Sequence, residues 1–165
     1  MDLITLDFET YYDKEYSLKK LTTEEYVRDP RFEVIGVAVK VNNEETEWAS
    51  GTHEQLSKYL QTFDWENSMV LAHNTMFDGA ILNWHYDIMP RVYTDTMCIA
   101  RAVHGVENSA SLRALSEKYN IGTKGQEILN TLGKRREQFQ DSELEKFGDY
   151  CVNDVDLTYK LFLKM

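Results

Sequence analysis

At 165 residues, 42% of them hydrophobic and 28% charged, the chain is long enough to bury one substantial core, which excludes widespread disorder. Its net charge of −10 opposes long-range attraction to nucleic acid and disfavours a plain nucleic-acid-binding module, but leaves open an enzyme whose carboxylates hold divalent cations. No signal peptide opens the chain and no apolar run reaches membrane-spanning length, while Cys98 and Cys151, without CxxC spacing, read as buried thiols rather than a disulfide or zinc site.

Leu3 to Glu9 alternates as a strand, with Ile4, Leu6 and Phe8 on one face and Thr5, Asp7 and Glu9 on the other. A polar, tyrosine-rich section follows, with a short helix over 22–27 started by a Thr22/Glu25 capping box. Phe32 to Val41 is nearly continuous and β-branched, as a buried strand is, and Asn42-Asn43 predicts a hairpin into a third strand over 44–48. Thr52 and Gln55 start a helix with Leu56, Tyr59, Leu60 and Phe63 at helical spacing. Then come a strand over 69–72, a helix over 77–86 with Ala80, Ile81 and Trp84 inward, a strand over 91–94, and helices over 96–103 and 111–119. Residues 123–140 read as a broken helix and loop. A long closing helix begins near Asp141, with Ser142 and Glu145 as its capping box and Leu144, Phe147, Cys151, Val155, Tyr159 and Phe162 as its apolar stripe. Strands gathered early and then alternating with helices predict an α/β layered domain with a mixed sheet, one domain over residues 1–165.

Three segments carry carboxylates that fit this pattern poorly. Asp7 and Glu9 share a face at a strand end, which alone is ordinarily a strand fraying into solvent. Asp78 lies at a helix start just after a strand, where an acid is commonplace beside the macrodipole. Asp154 sits on the closing helix between Cys151, Val155, Leu157 and Leu161, where an uncompensated carboxylate costs several kcal/mol (~3–5). Gathered at one sheet edge, the four would form an all-oxygen site for hard ions, Mg2+ or Mn2+ rather than Zn2+. Two such ions activate water and steady the leaving oxygen in phosphodiester cleavage, and Tyr150, one turn before Asp154, could orient that water.

The motifs Asp7-Phe8-Glu9-Thr10, Asn74-Thr75-Met76-Phe77-Asp78 and Tyr150-Cys151-Val152-Asn153-Asp154, in this order, resemble the 3′-5′ exonuclease (proofreading) domain of family A DNA polymerases of bacteriophage type, within the DEDD exonuclease superfamily. The tyrosine four residues before the last aspartate marks the DEDDy branch. The resemblance implies an RNase H-like fold, a central mixed β-sheet flanked by helices, and two divalent metal ions. Asp7, Glu9 and Asp154 would hold the first, and Asp7 and Asp78 the second. It implies a metal-dependent exonuclease that releases nucleoside 5′-monophosphates from a single-stranded or frayed DNA 3′ end, with a polymerase domain or subunit as a possible partner; no polymerase domain lies within residues 1–165. An RNA-trimming relative and a non-catalytic binding module are the alternatives. The expected setting is a cytoplasmic monomer (host cytoplasm if the origin is a phage) without membrane association.

Substrate contacts are expected from Thr10, Asn74 and Phe77 beside the acids, and from Lys124, Lys134, Arg135 and Arg136, the densest positive cluster. Each has an ordinary alternative: Asn74 as a helix cap, the basic residues as a solvated turn. Asp95 is a secondary candidate that equally suits a helix cap. His73 reads as a packing group, and His53, His85 and His104 show no metal-ligand spacing.

Overall fold

The computed structural model describes residues 1–125 and 130–165. Five strands form one mixed sheet in the order β3-β2-β1-β4-β5: β1 (Asp2–Thr10), β2 (Val34–Val41), β3 (Glu47–Ser50), β4 (Ser68–Ala72) and β5 (Val92–Asp95). β1 is central, antiparallel to β2 and parallel to β4. The helices are α1 (Thr23–Arg28), α2 (His53–Leu60), α3 (Thr75–Ala80), α4 (Thr96–His104), α5 (Leu112–Tyr119) and α6 (Asp141–Lys164). This is the α/β layered architecture with a mixed sheet expected from the order of elements, and the RNase H-like fold that the resemblance implies.

The sheet separates two cores. Ile4, Leu6, Phe8, Val37, Val39 and Val70 pack with Tyr26 and Val27 of α1, Leu56 and Leu60 of α2, and Ala80 with the π-helical Ile81 and Leu82 behind α3. On the opposite face, Ala38 of β2 meets Cys151 and Val155 of α6, and Leu157 and Leu161 continue onto Ala100, Leu112 and Leu115. The alternation of β1 therefore sends Asp7 toward α6, and Cys151 Sγ lies 3.3 Å from the Asp7 carbonyl oxygen.

Close approach fixes the seating of α6. A Cβ on Gly148 would come within 2.4 Å of Trp48, whose ring also lies against Gly36, so both glycines make room for one indole between helix and sheet.

Several local expectations shift. β3 starts at Glu47 rather than Glu44, because Lys40 Nζ bonds the Glu44 carbonyl and pairs with Asp156, while Thr46 donates to Asp156, tying this stretch to α6 rather than to a ladder. Trp84 is 45% exposed instead of inward, under the Arg28 guanidinium. The helix goes π-helical over Ile81–His85, and the wider turn breaks the 3.6-residue phase that would have buried the ring. The box starting α6 is Gln140/Glu143, two residues before the Ser142/Glu145 pair that satisfies the same spacing. Its stripe is carried at the C-terminal end by Leu157, Thr158 and Leu161, while Tyr159 and Phe162 are only half-buried. Cys151 is buried as expected, but Cys98 is exposed. Of the broken helix expected within 123–140, residues 126–129 lie outside the described residues, and Arg136–Gln138 forms a 3-10 turn. Among the described residues, no helix is long and apolar enough to cross a membrane.

Candidate metal and active site

The β1–β4 ladder runs from Asp2/Ser68 to Thr5/Leu71, so β1 projects beyond its parallel neighbour. The Phe8 amide in this overhang donates to Asp78 Oδ1 at 3.0 Å, and the first turn of α3 takes the place of the missing strand. One bond thus brings the second motif onto the first. Opposite it, α6 brings the third: a carboxylate oxygen of Asp7, one of Glu9 and Cys151 Sγ lie within 4.8 Å of one another.

Burial makes these acids costly as anions. Asp78 is 2% exposed and Asp154 is 6% exposed. Burial, then repulsion from Asp154, pushes the Asp7 carboxyl up to about 7. Glu9 is raised by burial and by Asp7 and Asp154, and Asp78 by burial and Asp7. Asp154 is raised by burial against the pull of Lys124, whose Nζ lies 2.7 Å from Oδ2, while Oδ1 has no partner among the described residues. Clustered acids that repel one another, and a buried carboxylate oxygen without a donor, are what a resident cation would satisfy. The donors are mainly oxygens, fitting a hard divalent ion, and Cys151 adds one sulfur at the edge.

Tyr150 is half-buried one turn before Asp154, with the Lys124 ammonium 5.5 Å from its ring centre. Burial and Asp154 raise its hydroxyl, so it stays protonated at neutral pH and can donate a hydrogen bond.

The remaining residues divide. Thr10 shares a hydrogen bond with the Tyr26 hydroxyl at 2.8 Å, and Phe77 packs against the core beside it. Asn74 takes a left-handed backbone at φ 81 and does not cap α3 with its side chain. Asp95 caps α4 through the Met97 and Cys98 amides and also accepts the Asn74 and Thr75 amides, stapling α3 to α4. His73 bonds Thr96 and the Ala110 carbonyl, a packing role.

The basic cluster turns to internal partners. Lys134 pairs with Glu143, Arg135 bonds the Arg31 carbonyl with its guanidinium 3.6 Å from the Tyr11 ring centre, and Arg136 bonds Ser50. Only Lys124 of the four reaches the carboxylates. Two features escaped the linear reading: Cys151 against Asp7, which only the β1–α6 packing creates, and the contact of His53 with His85 at 3.1 Å.

An RNase H-like sheet with four acids from three distant motifs, Asp78 and Asp154 buried and Asp7 and Glu9 half-buried, gathered at the end of its central strand defines a nuclease of the DEDD type. Residues 4–165 match the 3′-5′ exonuclease family model, and the chain belongs to that family. Solved structures share the fold. Brucella melitensis NrnC bound to pGG has a TM-score of 0.67 at 13% identity, over 99% of this chain and 71% of that one. NrnC with bound Mg2+ has a TM-score of 0.61 at 14% identity, over 98% and 70%. Trypanosoma brucei RNase D in complex with GMP has a TM-score of 0.71 at 15% identity, over 96% of this chain and 49% of that one. Among curated proteins compared by sequence, none matches.

These findings correct the expected substrate. The expectation of a DNA proofreading exonuclease acting on a single-stranded DNA 3′ end beside a polymerase is not carried forward. Among the structures that share this fold over nearly all of the present chain are NrnC bound to the dinucleotide pGG and RNase D in complex with GMP, neither of them a DNA complex.

Proposed function

We propose that residues 1–165 act as one metal-dependent 3′-5′ exoribonuclease domain that trims single-stranded RNA and releases nucleoside 5′-monophosphates. The observation that carries this reading is the meeting of Asp7, Glu9, Asp78 and Asp154 at the overhang of β1, in a family of 3′-5′ exonucleases. The RNA preference draws support from the RNase D and NrnC likenesses.

Asp7, Glu9 and Asp154 would hold one divalent ion and Asp7 with Asp78 a second, which when bound supply an activated water and charge neutralisation at the leaving 3′ oxygen. The water oxygen forms a bond to the terminal phosphorus as the P–O3′ bond breaks, and the shortened strand leaves with a 3′ hydroxyl. Tyr150 orients the water through its protonated hydroxyl. Phe8 and Cys151 behind the acids exclude bulk water, which strengthens every charge interaction at the phosphate. Thr10, Asn74 and Phe77 border the place of the terminal nucleotide, and the side chain of Asn74, released from capping, is available to it.

A 5′-labelled RNA oligonucleotide incubated with Mg2+ or Mn2+ should give a ladder shortened from its 3′ end. Internal cuts, or no shortening with either metal, would refute the reading.

A further inference from the structure

Resting on that reading, we propose that the cavity between the β1–α1 loop and residues 131–133 seats the nucleotide immediately 5′ of the scissile bond, with Lys14 and Lys19 holding the phosphate of the continuing RNA strand. The cavity, about 520 Å3, begins at Phe8, Glu9 and Thr10 and runs outward along the loop. Its walls include Tyr26 and Phe77, and three of the chain's exposed large apolar side chains gather around it: Tyr12, Leu18 and Leu132. Apolar and aromatic surfaces beside a hydrolytic centre are suited to stacking a base.

The loop is built rather than slack. Asp13 Oδ1 accepts the Glu15 and Tyr16 amides at 2.8 and 2.7 Å, and buried Tyr16 stacks on Tyr26 with ring centres 4.5 Å apart. The far wall is strapped on from 119 residues away, with the Tyr12 hydroxyl 2.8 Å from Thr131 Oγ1 and the Gly133 amide donating to the Tyr12 carbonyl at 2.8 Å.

Charge points to the same occupant. In a chain of net charge −10, three lysines line this one cavity against two carboxylates, Glu9 at the hydrolytic centre and Asp13, which is engaged by the loop's own amides. Lys20 pairs with Glu15, whereas Lys14 and Lys19 form no ion pair among the described residues. Since Lys134, Arg135 and Arg136 are committed elsewhere, these two are placed to meet a phosphate leading away from Glu9. A seat whose rim is exposed also suits a nucleotide with strand continuing beyond it.

The test compares two substrates in the intact chain. An octaribonucleotide has an upstream nucleotide; the p-nitrophenyl ester of thymidine 5′-monophosphate replaces it with a nitrophenolate leaving group. The Lys14→Ala/Lys19→Ala variant should raise KM for the RNA roughly tenfold, flatten its salt dependence, and leave ester hydrolysis unchanged. Leu18→Ala should weaken RNA binding in Ca2+, measured by anisotropy, in the same direction. An unchanged RNA KM and salt slope, or equal loss on both substrates, would overturn the seat while the exonuclease reading stands. A wild-type chain inert on both substrates would overturn the exonuclease reading and, with it, the seat.

Discussion

Lys124 Nζ lies 2.7 Å from Asp154 Oδ2, so an ammonium of the protein already compensates the acid contributed by the last motif. Both groups are largely shielded, and in the metal-free protein the pair relieves a charge that burial disfavours. The same ammonium opposes a divalent ion at that carboxylate.

Lys124→Met separates these effects. Without metal, Asp154 loses its partner and the variant should be less stable by about 1–3 kcal/mol, because a largely shielded carboxylate is left without its donor. The Mg2+ concentration giving half-maximal activity should fall. Thermal melts in EDTA and a Mg2+ titration of activity check the two halves.

Asp7→Asn should move activity and stability in opposite directions. Under the proposed function Asp7 would serve both ions, and its loss should reduce kcat by at least ~1000-fold, or roughly 4 kcal/mol. The metal-free melting temperature should hold or rise, because repulsion with Glu9 and Asp154 is relieved. A purely structural acid would lower both.

The pH dependence follows from the same charges. Asp7 titrates near 7, with Glu9 and Asp78 also raised, so the folded state binds more protons than the unfolded chain above the ordinary carboxylate range of about 4. The stabilisation of these protonated carboxyls is full below that range and is lost as pH rises through about 7. In EDTA the melting temperature should fall between pH 5 and pH 8, and Mg2+ should restore it at pH 8 but have little effect at pH 5. Melts that ignore Mg2+ at both pH values would contradict the cluster.

Gly148→Ala tests how α6 is held. The substitution raises helix propensity by about 1 kcal/mol. Its methyl would nevertheless meet Trp48 at 2.4 Å. The overpacked helix should be destabilised by about 1–3 kcal/mol, with weaker activity as Asp154 shifts away from Asp7. Chemical denaturation together with kcat provides the check.

What the sequence reveals follows the range of the interactions. The alternation of β1, the Thr22 and Thr52 caps and the long α6 are local patterns, and they appear where expected. The four carboxylates are readable because three ordered motifs bring them. Trp84 is misread because a π-helical turn changes the period, and the contacts of Arg135 with Arg31 and of Arg136 with Ser50 are invisible in the sequence because these partners lie far off in the chain. The substrate is misread for another reason: metal-binding acids act on the phosphate and carry no information about the sugar.

The most direct measurement is therefore a side-by-side trial of RNA and DNA oligonucleotides of one sequence, 5′-labelled, with Mg2+ and with Mn2+, against the wild-type chain and Asp154→Asn. The proposed function predicts RNA shortened stepwise from its 3′ end, DNA cleaved more slowly, and neither cleaved by the variant. DNA trimmed faster than RNA, or RNA left intact with both metals, would contradict it.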